Sequence, residues 1–424
     1  MITKFVSKKL ILLFLISNIS AQTTSSIQIN FFANNNNLHF LHKNKNGLYA
    51  TEGIENNFVF SHSIKSFDNK WVNMKILWKL DEDKIDLYEF SNSSDLKRGQ
   101  LKIGSFNPEK LYYENVLSSG SMVFSNNSRK IMGISVNSNW YNFFDIFNYK
   151  AELFHGKFPK QRGYSGGPYL HYKSVLLKKQ FLESALGFSV KHAVQYGGYD
   201  FNNEKIPTSW ENYIDVFFSR SSDDESQPEQ DQVYRAGNGL GSFVLFFEKK
   251  STQIYFEHYF DDKSGVKTMN FGDGLLGINV NTSKINFNFE IVDTRNQSGN
   301  QHPPGVDSYY YHGVYEFGWS NKGLTLGNSF IHPNSNRKFV YNIGLESIID
   351  NFKLITRYAF SEVYIPYQDK NQNQPYENYT DIISTDNYIL FGINYEYKNQ
   401  NIISLQLSKE NDLNNFQLSY LINF

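Results

Sequence analysis

Two groups of side chains in this sequence have the types and spacing to do chemistry. Glu257, His258, Asp261, Asp262 and Asp273 bracket a strand end and a glycine-bearing loop, Asp261-Asp262-Lys263-Ser264-Gly265. Oxygen donors so placed could ligate a hard cation such as calcium, but their spacing lacks the order of an EF-hand. A solvated turn is the favoured reading, and no metal site is assigned. His192, Gln195 and Tyr196, with Tyr310, His312, Tyr315 and Trp319, set hydrogen-bonding groups beside aromatic faces, a surface suited to holding sugar rings. The competing reading of this second group is packing, because Phe 37 and Tyr 29 make aromatics abundant throughout. The one GxSxG string, Gly163-Tyr164-Ser165-Gly166-Gly167, runs into Pro168 instead of a helix and so makes no nucleophile elbow, no HExxH helix or P-loop is present, and Cys 0 removes thiol nucleophiles and Cys-ligated metals. The expectation is therefore a protein that is not an enzyme, with no cofactor. A Ser-His-Asp arrangement assembled from distant residues stays open as the enzymatic alternative.

The elements that must position these groups read as strands. Phe416, Leu418, Tyr420, Ile422 and Phe424 alternate with Gln417, Ser419, Leu421 and Asn423, giving one apolar and one mostly polar face. The same period runs through residues 389–397, 403–407, 339–345 and 352–360, and through the pairs 309–318 with 323–330, 274–280 with 284–292, and 243–247 with 253–260. Short connections (281–283, 320–322, 398–401) alternate with long polar ones (261–273, 294–308, 365–387). If Phe424 sits at the periplasmic rim as a barrel-assembly signal, every short turn falls periplasmic and every long loop extracellular, as an outer-membrane barrel requires. A mean hydropathy of -0.49 excludes a bundle of transmembrane helices. Aromatics at 17% suit a lipid-facing surface with two interfacial girdles, the alternative being a secreted sandwich with aromatic cores.

At the N-terminus, Lys4, Lys8 and Lys9 precede an apolar run over 10–16, and Ser20-Ala21-Gln22 supplies a small-residue cleavage site between Ala21 and Gln22. The expected organisation is a signal peptide over 1–21 and a single outer-membrane barrel over 22–424. Roughly 400 mature residues at roughly 22 per strand give about 18 strands. Residues 34–37 read as a polar turn. Residues 196–241 read as an insertion, in which Thr208 or Ser209 caps a short helix carrying Trp210, Tyr213, Ile214, Phe217 and Phe218 on one stripe. The acidic run 222–226 is expected to break regular structure after it. The predicted fold class is all-β: a transmembrane antiparallel barrel of about 18 strands with helical insertion plugging or capping the lumen. A net charge of -1 gives no reason to expect nucleic acid as a partner.

Several ordered motifs carry a resemblance. They are residues 186–198 (Leu-Gly-Phe-Ser-Val-Lys-His-Ala-Val-Gln-Tyr-Gly-Gly), 236–242, 259–265 followed by 272–277, and above all 310–320 (Tyr-Tyr-His-Gly-Val-Tyr-Glu-Phe-Gly-Trp-Ser) with Lys322-Gly323 and Leu326-Gly327-Asn328. Together with looser matches at 119–128 and 153–158, the chain resembles the Wzi capsule-assembly family of the Bacteroidota type over about residues 100–335. Asn321 and Ser329 depart from a usual aromatic and a usual proline. The resemblance implies an outer-membrane barrel of 18 strands whose pore is obstructed by helical segments. It also implies a role in attaching exported capsular or extracellular polysaccharide to the cell surface, with outer-membrane lipid and the barrel-assembly machinery as further partners. The turn parity puts the loop of the 210–218 helix outside the cell, whereas the resemblance suggests a plug toward the periplasmic end; a loop folded deep into the lumen would satisfy both. The runner-up function is a porin or substrate-specific channel, for which Asn286, Asn288 and Glu290 supply polar lumen-facing positions.

Overall fold

A computed structural model describes residues 22–32, 56–65, 70–80, 83–108, 116–160, 164–261, 266–268, 270–298, 307–365 and 381–424. Period-two sequences with one apolar face pair side by side, and here nineteen strands form one sheet. One of them, Tyr141–Phe143, is a three-residue ribbon at the foot of Phe147–Lys157, so eighteen strands make the wall. Among the described strands each pairs antiparallel with its neighbour in sequence. The first, Gln22–Phe32, closes onto the last, Leu413–Asn423, with Asn30 opposite Ser419. Closure removes both sheet edges.

The side chains invert the soluble pattern. Along Lys338–Ile349, Tyr341, Ile343 and Leu345 point outward at 38%, 39% and 43% exposure, while Val340 and Asn342 point inward and are fully buried. A band of outward apolar residues around a polar interior is the surface of a barrel standing in lipid. The main core lies inside the lumen, around Phe154, Tyr255, Tyr259, Leu326 and Trp319.

Turn parity holds among the wall turns with two exceptions, and the expected 320–322 turn is no wall turn but part of a connection at the long-loop end. The turn 398–400 lies at the end carrying Phe424, where Asn423 Nδ2 donates to Gln400 O at 2.6 Å, and the short turns 97–98, 181–183, 250–251 and 350–351 share that end. The long connections 107–130, 197–237, 261–273 and 294–337 lie at the other. Yet the short turns 80–83 and 411–412 also fall at the long-loop end, so the alternation is not strict. The second turns on Asn411-Asp412, with Asn411 in the left-handed region at a φ of 49°.

Other expectations change more. Residues 309–318 and 323–330 are not wall strands: the described residues 307–337 belong to the connection between Ile285–Asp293 and Lys338–Ile349 and enter the lumen. Its only regular structure among the described residues is a ribbon of Ser320–Asn321 with Leu324–Thr325, turning at Lys322 with a φ of 52°. The aromatic periodicity there marks a segment buried within the barrel, since Tyr309 and Trp319 are fully enclosed. Tyr169–Gln180 and Ser184–Tyr196 form a hairpin that turns at 181–183. The predicted helix forms over Trp210–Phe218, with Ser209 Oγ accepting from Asn212 N at 3.1 Å and Ser219 ending it in the left-handed region. The acidic run does not end regular structure. Asp224 accepts from Ser226 N and Asn212 Nδ2, and a short helix, Glu229–Val233, follows. The leader, the 34–37 turn and Asp262 lie outside the described residues.

Candidate functional site

Two connections meet inside the barrel as a plug. Their backbones bond directly: Ser125 N donates to Leu326 O at 2.7 Å and Ser329 N to Ser119 O at 3.1 Å. Asn328 Nδ2 reaches Ser119 Oγ and Gly120 O, and Trp319 Nε1 donates to Val123 O at 2.9 Å. The wall grips this pair through two buried carboxylates. Glu290 accepts from Ser118 Oγ, Ser119 N and Tyr255 OH, each at 2.6 Å. Glu257 accepts from Ser121 Oγ (2.8 Å), Met122 N (3.0 Å), Ser242 Oγ (2.6 Å) and Lys191 Nζ (3.2 Å). A charge removed from water is tolerable only when so saturated. Leu117 packs against Gly344 so closely that a Cβ there would stand 2.7 Å from the leucine's own Cβ, so the wall has room for the plug only because that residue is glycine.

A second obstruction comes from the 197–237 connection. The helix Trp210–Phe218 lays Tyr213 and Phe217 against His171, and Ser219 Oγ lies 2.6 Å from His192 Nε2. Lys173 Nζ stands 4.3 Å over the Phe217 ring and donates to its carbonyl. These contacts lie within about five residues of the long-loop ends of strands Tyr169–Gln180 and Ser184–Tyr196, so the helix caps that end and not the opposite one. The two obstructions are tied together where Gln230 Nε2 meets His312 Nε2 at 3.3 Å and Tyr315 OH donates to Gly197 O at 3.2 Å.

Where they join, a narrow aromatic cleft opens at the long-loop mouth, lined by Tyr164, Pro168, Gln195, Tyr199, Tyr315 and Phe317, with Glu316 on its rim. Its enclosed space is only about 10 Å³, far below an enclosing ligand pocket, so it can offer aromatic faces to the edge of a ring but cannot take a ring in. Tyr164 OH donates to Glu316 Oε2 at 2.7 Å, and the Tyr164 and Phe317 rings meet edge to face at 5.7 Å. Burial, reinforced by the bond to Glu316, pushes the Tyr164 phenol up, keeping it a donor. Burial brings His312 down to about 4, so it is a neutral partner for Gln230 at physiological pH. Burial raises Asp231, on the short helix Glu229–Val233, to about 6, and Asp273, which accepts from Asn296 N, Gln297 N and Tyr309 OH, to about 7.

The residues singled out in sequence divide accordingly. Gln195 and Tyr315 come together at the cleft. Tyr196 lies behind it in a ring cluster with Tyr169 and Tyr213, His192 lies under the helix, and His312 joins the two obstructions. Tyr310, Trp319 and Glu257 are buried in plug and seat. Asp261 accepts from Tyr259 OH, and Asp273 holds the start of the long connection. The oxygen donors grouped in sequence as cation ligands thus diverge, Glu257 and Asp273 each being filled by protein donors. Tyr164, Tyr199, Glu316 and Phe317 were not singled out as site residues; the Tyr-Glu-Phe run at 315–317 was their one sequence signal. Asn288 and Glu290 do face the lumen, but Glu290 is occupied by the plug.

A family profile described as "Capsule assembly protein Wzi" matches residues 118–339. Among solved structures, the chain is similar to Wzi of Escherichia coli, an outer-membrane protein involved in group 1 capsule assembly and described as a carbohydrate-binding β-barrel. The TM-score is 0.62 at 14% identity, covering 98% of this chain and 87% of that one. It is also similar to OpdL of Pseudomonas aeruginosa, with a TM-score of 0.50 at 8% identity over 96% of this chain and 99% of that one. No curated protein matches the sequence.

Proposed function

Because the chain belongs to the Wzi capsule-assembly family, as the match over residues 118–339 shows, we propose that it is an outer-membrane barrel that binds exported polysaccharide and attaches it to the cell surface. The observation that carries this reading is the seating of the plug. The family-matched stretch begins at Ser118, on the first plug segment, and ends at Phe339, just past the second, so its shared character coincides with an obstructed lumen and the cleft above it. An obstructed barrel holds a ligand at its mouth, whereas an open channel would leave Glu290 and Glu257 facing water. Its role is binding, not catalysis.

Within this reading, Glu316 and Phe317, with the edge of Tyr164, contact the glycan, while the buried Gln195 and Tyr315 line the cleft behind them and His192, Tyr196, His312, Tyr310, Trp319, Glu257 and Asp273 act by holding the surface that presents it. Residues 1–21 are removed as a signal peptide, and Phe424, exposed after the last strand, is the signal for the barrel-assembly machinery. Deleting the gene in a strain that sheds polysaccharide, and weighing cell-bound against released polymer, tests the proposal. Loss of the cell-bound fraction is expected, and unchanged retention overturns it.

A further inference from the structure

The outer face of the wall carries a depression unrelated to the mouth. It lies at the short-turn end, where strands Lys84–Leu96, Gly99–Phe106, Ile131–Ser138 and Phe147–Lys157 run side by side, and it encloses about 320 Å³, within the range of small-ligand pockets. Its cause is local. In register, Gly99 pairs with Leu96 on one side and with Ser138 on the other, and Ala151 follows on the next strand, so three small residues sit where most of the lipid face carries Leu, Ile or Phe. Leu96 and Leu153, 48% and 41% exposed, form its walls together with Val136. The floor is mostly apolar and fixed in shape, for Ser138 Oγ is already engaged by Ala151 N at 2.9 Å, and the buried Asn137 and Glu152 that also line it point to the lumen side, Glu152 accepting from Ser135 Oγ at 3.0 Å.

One end of the depression is charged. Arg98 lines it from the turn 97–98, and its backbone is clamped, since Arg98 O accepts from Asn139 N at 3.1 Å and from Tyr141 OH at 2.9 Å. The guanidinium makes no ion pair among the described residues. The nearby carboxylate of Asp95 faces the lumen instead, accepting from Gln100 Nε2 at 2.9 Å. Below the turn, the Tyr141 and Tyr149 rings meet at 5.6 Å, tilted by 30°, an aromatic pair at the height where a barrel meets the headgroup layer. Lys97 adds a second cation to the turn.

We propose that this depression is a binding site for one glycerophospholipid of the periplasmic leaflet, an acyl chain lying between Leu96 and Leu153 over Gly99, Ser138 and Ala151, with the phosphate held by Arg98. Apolar walls ending in an unpaired cation match a molecule that is hydrocarbon for most of its length and anionic at one end. A bare hydrocarbon would leave the arginine unused, and a free phosphate would leave the groove unfilled. The site binds lipid from the side of the barrel, so it is independent of the polysaccharide reading.

Native mass spectrometry of the full barrel, extracted in mild detergent and supplied with phosphatidylglycerol, tests it. One phospholipid per barrel is expected to survive detergent removal. Arg98→Ala should lower its occupancy at least fivefold, and Ala151→Leu, which fills the groove, should abolish it. Leu245→Ala, at an outward position on a distant strand, should leave it unchanged. Diacylglycerol, lacking the phosphate, should not be retained, and millimolar inorganic phosphate should not displace the phospholipid. Heat-modifiable migration reports that each variant is folded. Equal lipid retention by the folded Arg98 and Ala151 variants, or equal retention of diacylglycerol, overturns the site.

Discussion

Two stretches of the same barrel wall solve opposite problems. The wall from Ser184–Tyr196 through Lys338–Ile349 faces the plug and carries buried charge, whereas the seam, where Gln22–Phe32 meets Leu413–Asn423, carries uncharged amides and hydroxyls. At the seam Asn30 is the hub. It donates to Asn57 Oδ1 at 2.8 Å and accepts from Gln417 Nε2 and Ser419 Oγ at 3.1 and 2.8 Å. Both networks are buried, but only the first includes donors from outside the wall. Charge appears where a separate segment must be seated in one position, and neutral ladders suffice where strand register already fixes the partners.

The largest effect that would break this contrast is the loss of a gripping carboxylate. Glu290→Ala leaves the Ser118 hydroxyl, the Ser119 amide and the Tyr255 hydroxyl without their acceptor, at about 1–3 kcal/mol for each buried group. The plug should loosen while the wall stays closed. Planar-bilayer recording should then show ion conductance absent from the wild type, and a silent, folded variant would remove Glu290 from the seat. Trp319→Ala comes next, since it empties a fully buried indole site and strips the bond to Val123 O, with a cost of about 3–5 kcal/mol confined to the plug. Faster hydrogen exchange over 118–128, with unchanged exchange at the seam, is the expected reading.

A smaller effect is electrostatic. Asp273 is held near 7 in the fold against an ordinary 3.8, so the folded state binds its proton more tightly than the unfolded one. That contribution to stability is complete below about pH 4 and is lost as pH rises through 7. Resistance of the long connection to proteolysis should therefore increase on going from pH 8 to pH 5, and Asp273→Asn should flatten the dependence. A slope unchanged in the Asn variant assigns the effect to another group. The smallest effect sharpens the seam side. Ser419→Ala removes one hydrogen bond to Asn30, worth about 1 kcal/mol, and should lower the urea midpoint slightly without admitting current.

The same contrast explains what the sequence disclosed. Outward positions obey one rule everywhere, lipid contact, so strands such as Lys338–Ile349 and Leu413–Asn423 were legible from period two alone. The helix was legible because Ser209 and its apolar stripe are local signals. The plug was not. Tyr309, Tyr311, Tyr315, Phe317 and Trp319 fall on one period-two face much as on a strand, and only the buried partners Met122, Val123 and Asp273 of Tyr310, Trp319 and Tyr309, distant in sequence, show that the segment lies inside. For the same reason Glu257, Tyr310 and Trp319 looked like binding residues, since saturation by far-off donors leaves no local mark. The cleft was half legible, through Gln195 and Tyr315. Tyr164 and Tyr199 join it only because two connections fold together at the mouth.

The central claim, that an obstructed barrel holds polysaccharide at its mouth, is tested most directly by titrating the folded, purified barrel with the polysaccharide shed by its own strain. Saturable binding that weakens at least tenfold in the Tyr164→Ala, Phe317→Ala double variant is the predicted result. No saturable binding, or binding untouched by the double variant while the lumen conducts ions freely, would contradict it.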